Sequence, residues 1–383
     1  MTLAPLFDPA DFRIPPGIAH VCAAGETPFL RRHDAAFSAY ADDKSAGSPG
    51  RTRQEARLAA ARAGAARLFG VEAGDIGFVS SVAEGVSMVV ESLDWRPGDN
   101  VVVDPDEYPS VVAPITLQSR PEVTLRFARM AEPAAVAAAV DERTRMIAVS
   151  AVSFLTAARH DLTALRATAD RAGALLVVDF TQAAGWMPIR ADVADFAFSS
   201  CYKWVLGCTG VAIGYWNRER QAGWAPSTAG WHSIASMARP DWSQRPALLP
   251  DAARFTRGNP AHLGLYILDG ALDYLAGHGI EAIQRHVQTL TVAMLERLRE
   301  ADIPSTTPPD PRHHGASVCV QSPHASAIVA GMERRGVFAW NGRGRVRVSF
   351  HGYNGAEDMN RATDALIAEW RAASTQEETT TCA

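Results

Sequence analysis

The chain lacks most of the features that mark specialised proteins. Its five cysteines (Cys22, Cys201, Cys208, Cys319 and Cys382) show no C-x-x-C spacing and are odd in number. That argues against a disulfide framework or zinc knuckle and for a reducing compartment. A net charge of −5 without a basic stripe removes the electrostatic case for a nucleic-acid partner. No apolar run approaches the roughly 18 residues of a membrane span. The opening MTLAPLFDPADFRIPPG has acids and prolines where a secretory leader needs a basic start and an apolar core. No histidine or carboxylate cluster has metal-ligand spacing, and His313-His314 is isolated in a proline-rich loop. These absences leave a cytoplasmic enzyme that acts on a small molecule, with no membrane or nucleic-acid partner.

What is present is an alternation of strand and helix signals. Arg51 to Leu68 reads as an amphipathic helix that stops before Gly70, and Ile76 to Ser81 as a strand running into a helix over Val82 to Leu93. Further strand signals lie at 100–103, 124–127 and 146–150, with a helix around 131–140. The alternation predicts an α/β fold: a mostly parallel sheet flanked by helices. At 383 residues the chain exceeds the roughly 250 to 300 at which one core usually splits, so a second, smaller domain is expected.

The most informative stretch is VVDFTQAAGWMPIRADVADFAFSSCYKWVLGCTGVAIGYW. Ala174 to Val178 is an unbroken apolar run, which suits a strand buried on both faces and puts Asp179 at its carboxyl end, where open α/β sheets bind ligands. The run Asp195 to Ser200 does the same for Lys203, and Gly207, Gly210 and Gly214 let the backbone turn back into a strand. A lysine that forms a Schiff base with pyridoxal phosphate (PLP) must be unprotonated part of the time, and an acid must hold a proton on the ring nitrogen of that cofactor. Lys203 and Asp179 are the catalytic candidates for these roles.

The pattern D-x-x-Q-A-x-G, F-S-x-x-x-K and G-x-x-G is carried by Asp179, Gln182, Ala183, Gly185, Phe198, Ser199, Lys203, Gly207 and Gly210. It resembles the class V aminotransferases, which include cysteine desulfurases, kynureninases and related lyases of PLP fold type I. The resemblance implies a large domain with a seven-stranded sheet over 21–265 and a smaller α/β domain over 266–373. Residues 1–20 should pack with the small domain. The polar stretch 374–383 reads as a disordered tail.

The same resemblance assigns site residues. Ser81, Val82 and Ala83 occupy the turn that cradles the cofactor phosphate, with Ser200 and Tyr202 near it, and Tyr108 is placed to stack on the cofactor ring. Gln182 is implied as a hydrogen-bond partner of the phenolic oxygen. Trp231 and Asn259, in G-W and G-N-P segments, correspond to positions that reach a neighbouring subunit's phosphate, which implies a homodimer with shared sites. Arg347, in R-x-S-x-x-x-Y-N, matches the residue that pairs with a substrate α-carboxylate, whereas Arg343 and Arg345 read as solvated strand arginines. Phe154 and Trp340 are substrate-binding candidates, and His232 is a weak candidate base.

Where cysteine desulfurases carry a nucleophilic cysteine, GVFAWNGRGRVRV has Trp340 and no cysteine. The resulting reading is a kynureninase- or desulfurase-like carbon–carbon or carbon–sulfur lyase acting on an amino acid. The alternatives are an aminotransferase or an epimerase; a PLP-binding protein without turnover is argued against by Asp179, Lys203 and Arg347 together. Tyr108, Phe154, Trp231 and Trp340 suggest a hydrophobic or aromatic substrate.

Overall fold

The computed structural model describes residues 3–117, 123–235 and 241–381. After a short strand β1 (Ala19–His20) come two helices, α1 (His33–Ser45) and α2 (Gly47–Phe69). The second helix ends at Gly70 in a left-handed conformation, φ 68°, where the glycine closes it without steric cost. Then β2 (Ile76–Val79), α3 (Val82–Ser92), β3 (Asn100–Val103), α4 (Pro109–Thr116), β4 (Thr124–Phe127), α5 (Pro133–Ala139), β5 (Thr144–Ser150), α6 (Leu162–Ala172), β6 (Leu175–Asp179), β7 (Phe196–Ser200) and β8 (Ala212–Trp216) build the large domain.

Strands β2 to β8 form one seven-stranded sheet in the order β2-β8-β7-β6-β5-β3-β4. Only β8 runs against its neighbours; the other four pairings, among β3 to β7, are parallel. The valines of β3 and the Leu176 to Val178 segment of β6 are buried, as expected of strands covered by helices on both faces. The chain leaves β3 towards β4 on one side and returns through β5 on the other. The carboxyl ends of β3 and β5 therefore flank a topological switch point, the place where such sheets open a crevice for ligands. The loops after β3, β5, β6 and β7 carry Tyr108, Phe154, Asp179 and Lys203 to that edge.

Helix α7 (His262–His278) lies on α1 and α2, and Leu265, Leu268, Leu272 and Leu275 join the large domain's core. The large core thus continues past residue 265, where the sequence reading drew its boundary. Helix α8 (Ile280–Glu300) leads into β9 (Ser317–Gln321), α9 (Ala325–Arg334), β10 (Val337–Phe338), β11 (Trp340–Gly342), β12 (Arg345–Ser349) and α10 (Ala356–Thr381). Strands β11, β12 and β9 form an antiparallel sheet with β12 in the middle, backed by a second core that includes Val318, Val320, Val346, Val348 and Leu366. The N-terminal segment joins both units: β1 pairs in parallel with β10, while Phe7 and Phe12 enter the large core. Helix α10 continues into the stretch expected to be a disordered tail.

Candidate active site

A cavity of about 450 Å³ opens where the carboxyl edge of the large sheet meets the β11–β12 hairpin of the small domain. Its floor comes from the loops after β3, β5, β6 and β7, through Tyr108, Phe154, Gln182, Tyr202 and Lys203. Its other wall comes from Trp340, Arg343, Arg345 and Arg347, with Glu26 from the N-terminal segment.

Lys203 is 6% exposed. Burial, and then the nearby Arg347 guanidinium, lower its amine to about 8, so about a tenth of it is neutral at pH 7, far more than for a free lysine. Its Nζ lies 5.4 Å from the ring centres of both Tyr108 and Tyr202. The loop that holds it is pinned at its carbonyls. Thr27 Oγ1 donates to Lys203 O at 3.0 Å, His351 Nε2 meets Trp204 O at 2.9 Å, and His33 Nε2 meets Leu206 O at 2.7 Å. Each buried carbonyl so paired avoids the desolvation cost of an unmade bond.

Asp179 ends β6 fully enclosed, and burial raises its carboxyl to about 6, opposed by hydrogen bonding to Thr181; Thr181 N donates to its Oδ1 at 2.8 Å. It remains mostly ionised at neutral pH and interacts favourably with the Lys203 charge. Thr181 Oγ1 in turn accepts from Ser200 N at 2.9 Å and ties the ends of β6 and β7 together.

Sequence reasoning missed Glu107. This buried carboxylate accepts from Ser150 Oγ at 2.6 Å, from Ser150 N at 2.8 Å and from Tyr108 N at 2.6 Å. It thereby locks the Tyr108 turn to the end of β5. Burial pushes its carboxyl above the usual range. The signal was an acid directly before Tyr108, but its partner lies on a strand formed far along the chain.

Arg347 is 7% exposed, and burial lowers its pKa. Its Nη1 donates to Phe154 O at 2.9 Å, while its buried Nε has no partner. Gln182 is already engaged: its Nε2 donates to Ala24 O at 3.0 Å and its Oε1 accepts from Trp204 Nε1 at 2.9 Å, which leaves one amide hydrogen for a ligand. Ser81 caps α3, its Oγ accepting from Glu84 N at 3.2 Å, so Ser81, Val82 and Ala83 present a helix amino end at the same edge of the sheet. Packing there is close: a Cβ on Gly85 would sit 2.2 Å from the Phe198 ring.

Four expectations are redirected. Arg345, read as solvated, is half-buried, and both it and the exposed Arg343 line the cavity. Trp231 does not line it; it is 42% exposed and lies under Arg51, whose guanidinium carbon is 5.9 Å from the ring. Asn259 lines a separate cavity of about 230 Å³ beside Ser80, Glu84 and Arg257. His232 is in neither cavity's lining and has its Nδ1 buried without a partner.

The four described cysteines are unpaired and none lines the cavity. No group of three His, Cys, Asp or Glu suited to a metal occurs among the described residues, and no described helix is long and apolar enough to cross a membrane.

A buried amine beside a buried acid, set at the switch point of a doubly wound sheet with a smaller domain closing over it, defines the class of PLP-dependent enzymes of fold type I. The residues fit that cofactor: a desolvated amine for its aldehyde, an enclosed carboxylate for its ring nitrogen and the amino end of α3 for its phosphate. The aminotransferase class V family profile matches residues 36–362, and the chain belongs to that family.

Among curated proteins it is 27% identical to a probable cysteine desulfurase of Methanothermobacter thermautotrophicus, over 82% of this chain and 84% of the relative. It is 25% identical to the uncharacterized aminotransferase YcbU of Bacillus subtilis, over 79% and 81% respectively. Among solved structures, the apo cysteine desulfurase from Thermococcus onnurineus superposes with a TM-score of 0.84 at 21% identity, over 94% of this chain and 96% of that one. The cystine C–S lyase C-DES, in complex with its product cysteine persulfide, superposes with a TM-score of 0.83 at 20% identity, over 92% and 98%.

Proposed function

We propose that this protein is a PLP-dependent lyase that binds an amino acid over Lys203 and cleaves a bond in its side chain, with a carbon–sulfur bond as the best-supported target. The observation that carries the reading is that Lys203 and Arg347 line one cavity while buried Asp179 interacts electrostatically with Lys203, supported by family membership and the desulfurase and lyase relatives.

Pyridoxal phosphate, when bound, supplies an aldehyde for the substrate's amino group and a ring that takes up the electron pair of a bond broken at Cα. The chain's own groups do the rest. Arg347 grips the α-carboxylate with a guanidinium that burial has stripped of water, and its contact to Phe154 O fixes the fork. Lys203, already close to deprotonation, is the nucleophile for cofactor capture and then the base that moves the Cα proton. Asp179 holds a proton at the ring nitrogen. Tyr108, locked by Glu107, covers one side and keeps water out.

Because none of the described cysteines lines the cavity, the sulfur leaves on the product and not on an enzyme thiol. The cystine lyase relative, bound to cysteine persulfide, is the better precedent than a desulfurase that stores sulfur on itself. The unpaired cysteines suit a cytoplasmic location. We further propose a homodimer, in which exposed Trp231 and Asn259 face the neighbouring subunit's cofactor.

The test is to load the purified protein with PLP and offer a panel of amino acids, among them cysteine, cystine, kynurenine and alanine, while identifying products. Release of a side-chain fragment with the starting cofactor spectrum restored in each cycle is the expected result. Conversion to an aminated cofactor that only a keto acid reverses would replace the lyase by an aminotransferase.

A further inference from the structure

We propose that the substrate carries a second anionic group at the end of its side chain, and that Arg345 and Arg343 recognise it. This rests on the reading of Lys203 and Arg347 above. Three guanidiniums line the cavity, and its lining contains a single carboxylate, the exposed Glu26. Most arginines elsewhere are ion-paired, as Arg57 is with Asp269 and Arg166 with Asp195, but no described acid pairs with Arg343, Arg345 or Arg347. Arg347 is committed to the α-carboxylate, which leaves two cations over.

Their placement is specific. Arg345 and Arg347 are two apart on β12, so they lie on the same face with Cα atoms about 7 Å apart. Guanidiniums reaching from neighbouring positions on one face can grip both acids of one short dicarboxylic amino acid. The Nε of Arg345, like that of Arg347, is buried with no partner, and Arg345 Nη1 donates only to Arg343 O, at 3.2 Å. Unsatisfied buried donors on a cation are costly, and an incoming anion satisfies them.

Arg343 lies in the two-residue turn between Gly342 and Arg345, with φ 52°, followed by Gly344 at φ 71°. Such turns favour Asn-Gly, because a positive φ strains a longer side chain. The strained position sets the Arg343 guanidinium carbon 5.1 Å from the ring of Phe154, at the cavity mouth. The aromatic residues then form the walls of a channel between two anion sites and do not recognise an aromatic substrate.

The test uses the PLP-loaded protein and titrates glutamate against glutamine, aspartate against asparagine, and homocysteate against methionine, with the cofactor's absorbance change reporting occupancy. The acidic member of at least one pair should bind about tenfold tighter than its neutral partner, or more. That ratio should collapse toward one in Arg345→Gln and in the Arg343→Gln/Arg345→Gln double variant, and Arg345→Lys should restore part of it. Equal affinities within every pair, or a preference that survives the double variant, overturn the proposal. Failure of the protein to develop Lys203-dependent absorbance would instead remove the cofactor reading beneath it, so the two failures are told apart in the first spectrum.

Discussion

The two walls of the cavity are built on different principles. On the large-domain side, Lys203 and Asp179 stand at strand ends fixed by the sheet, and the polar groups around them are paired: Thr27, His33 and His351 hold the lysine loop, Thr181 holds Asp179, and Glu107 locks Tyr108. On the small-domain side, a hairpin of two short strands holds Trp340, Arg343 and Arg345, partly exposed, with a strained turn and donors without partners. The first wall is finished before any ligand arrives; the second is completed by one. A rigid, satisfied wall suits bond chemistry, which needs atoms held to a fraction of an ångström, whereas the unsatisfied wall suits discrimination among substrates.

Substitutions on each wall should separate these contributions. The largest effect is expected from Lys203→Ala, which should abolish the cofactor's protein-bound absorbance and lower turnover about a thousandfold or more. Retained turnover would show that the rigid wall is not the chemical one. Next, Arg347→Gln should raise the KM for an α-carboxylate substrate about tenfold to a hundredfold, with a smaller change in kcat; an unchanged KM would move carboxylate recognition elsewhere.

A pH experiment probes the pinning of the lysine loop. His351 is buried and neutral, held at about 4, chiefly by burial, against 6.5 when exposed. A depressed histidine pKa means that the unfolded chain binds the proton more tightly. The stabilisation from this group is therefore complete above pH 6.5 and is lost as pH falls toward 4, in total about 3 kcal/mol. Urea unfolding at pH 7.5, 6 and 5 should show the decline, and His351→Gln should make it shallower, the other buried histidines, such as His33 and His286, supplying the rest; an equally steep decline in the variant would refute the assignment.

The smallest effect concerns cofactor capture. Since the amine of Lys203 titrates near 8, the rate at which cofactor-free protein takes up PLP should rise about tenfold from pH 7 to pH 8.5 and then level off. Stopped-flow absorbance measures this directly, and a rate flat across that range would mean that Lys203 is already neutral at pH 7.

The division between the walls also governs how much could be read from the sequence. The apolar runs before Asp179 and Lys203 are local signals, since a strand buried on both faces needs an unbroken run, and the residues around Lys203 carry the family pattern within a short stretch. The roles of Arg343 and Arg345 depend on the register of β11 against β12, Gly342 opposite Arg345, which a tight turn sets and which composition does not disclose. Glu107 is opaque for a similar reason, because its partner Ser150 becomes a neighbour only through the parallel pairing of β3 and β5. Trp231 and Asn259 look like site residues in the chain, yet neither lines the Lys203 cavity.

The lysine loop is held by donors from opposite ends of the polypeptide: Thr27 and His33 come from the first tenth of the chain, and His351 from the last. During synthesis, a nascent chain that has emerged as far as β8 already carries Lys203 and Asp179, but the contact from His351 has still to be made. A chain truncated before His351 is therefore expected to lack one of the three contacts that fix this loop.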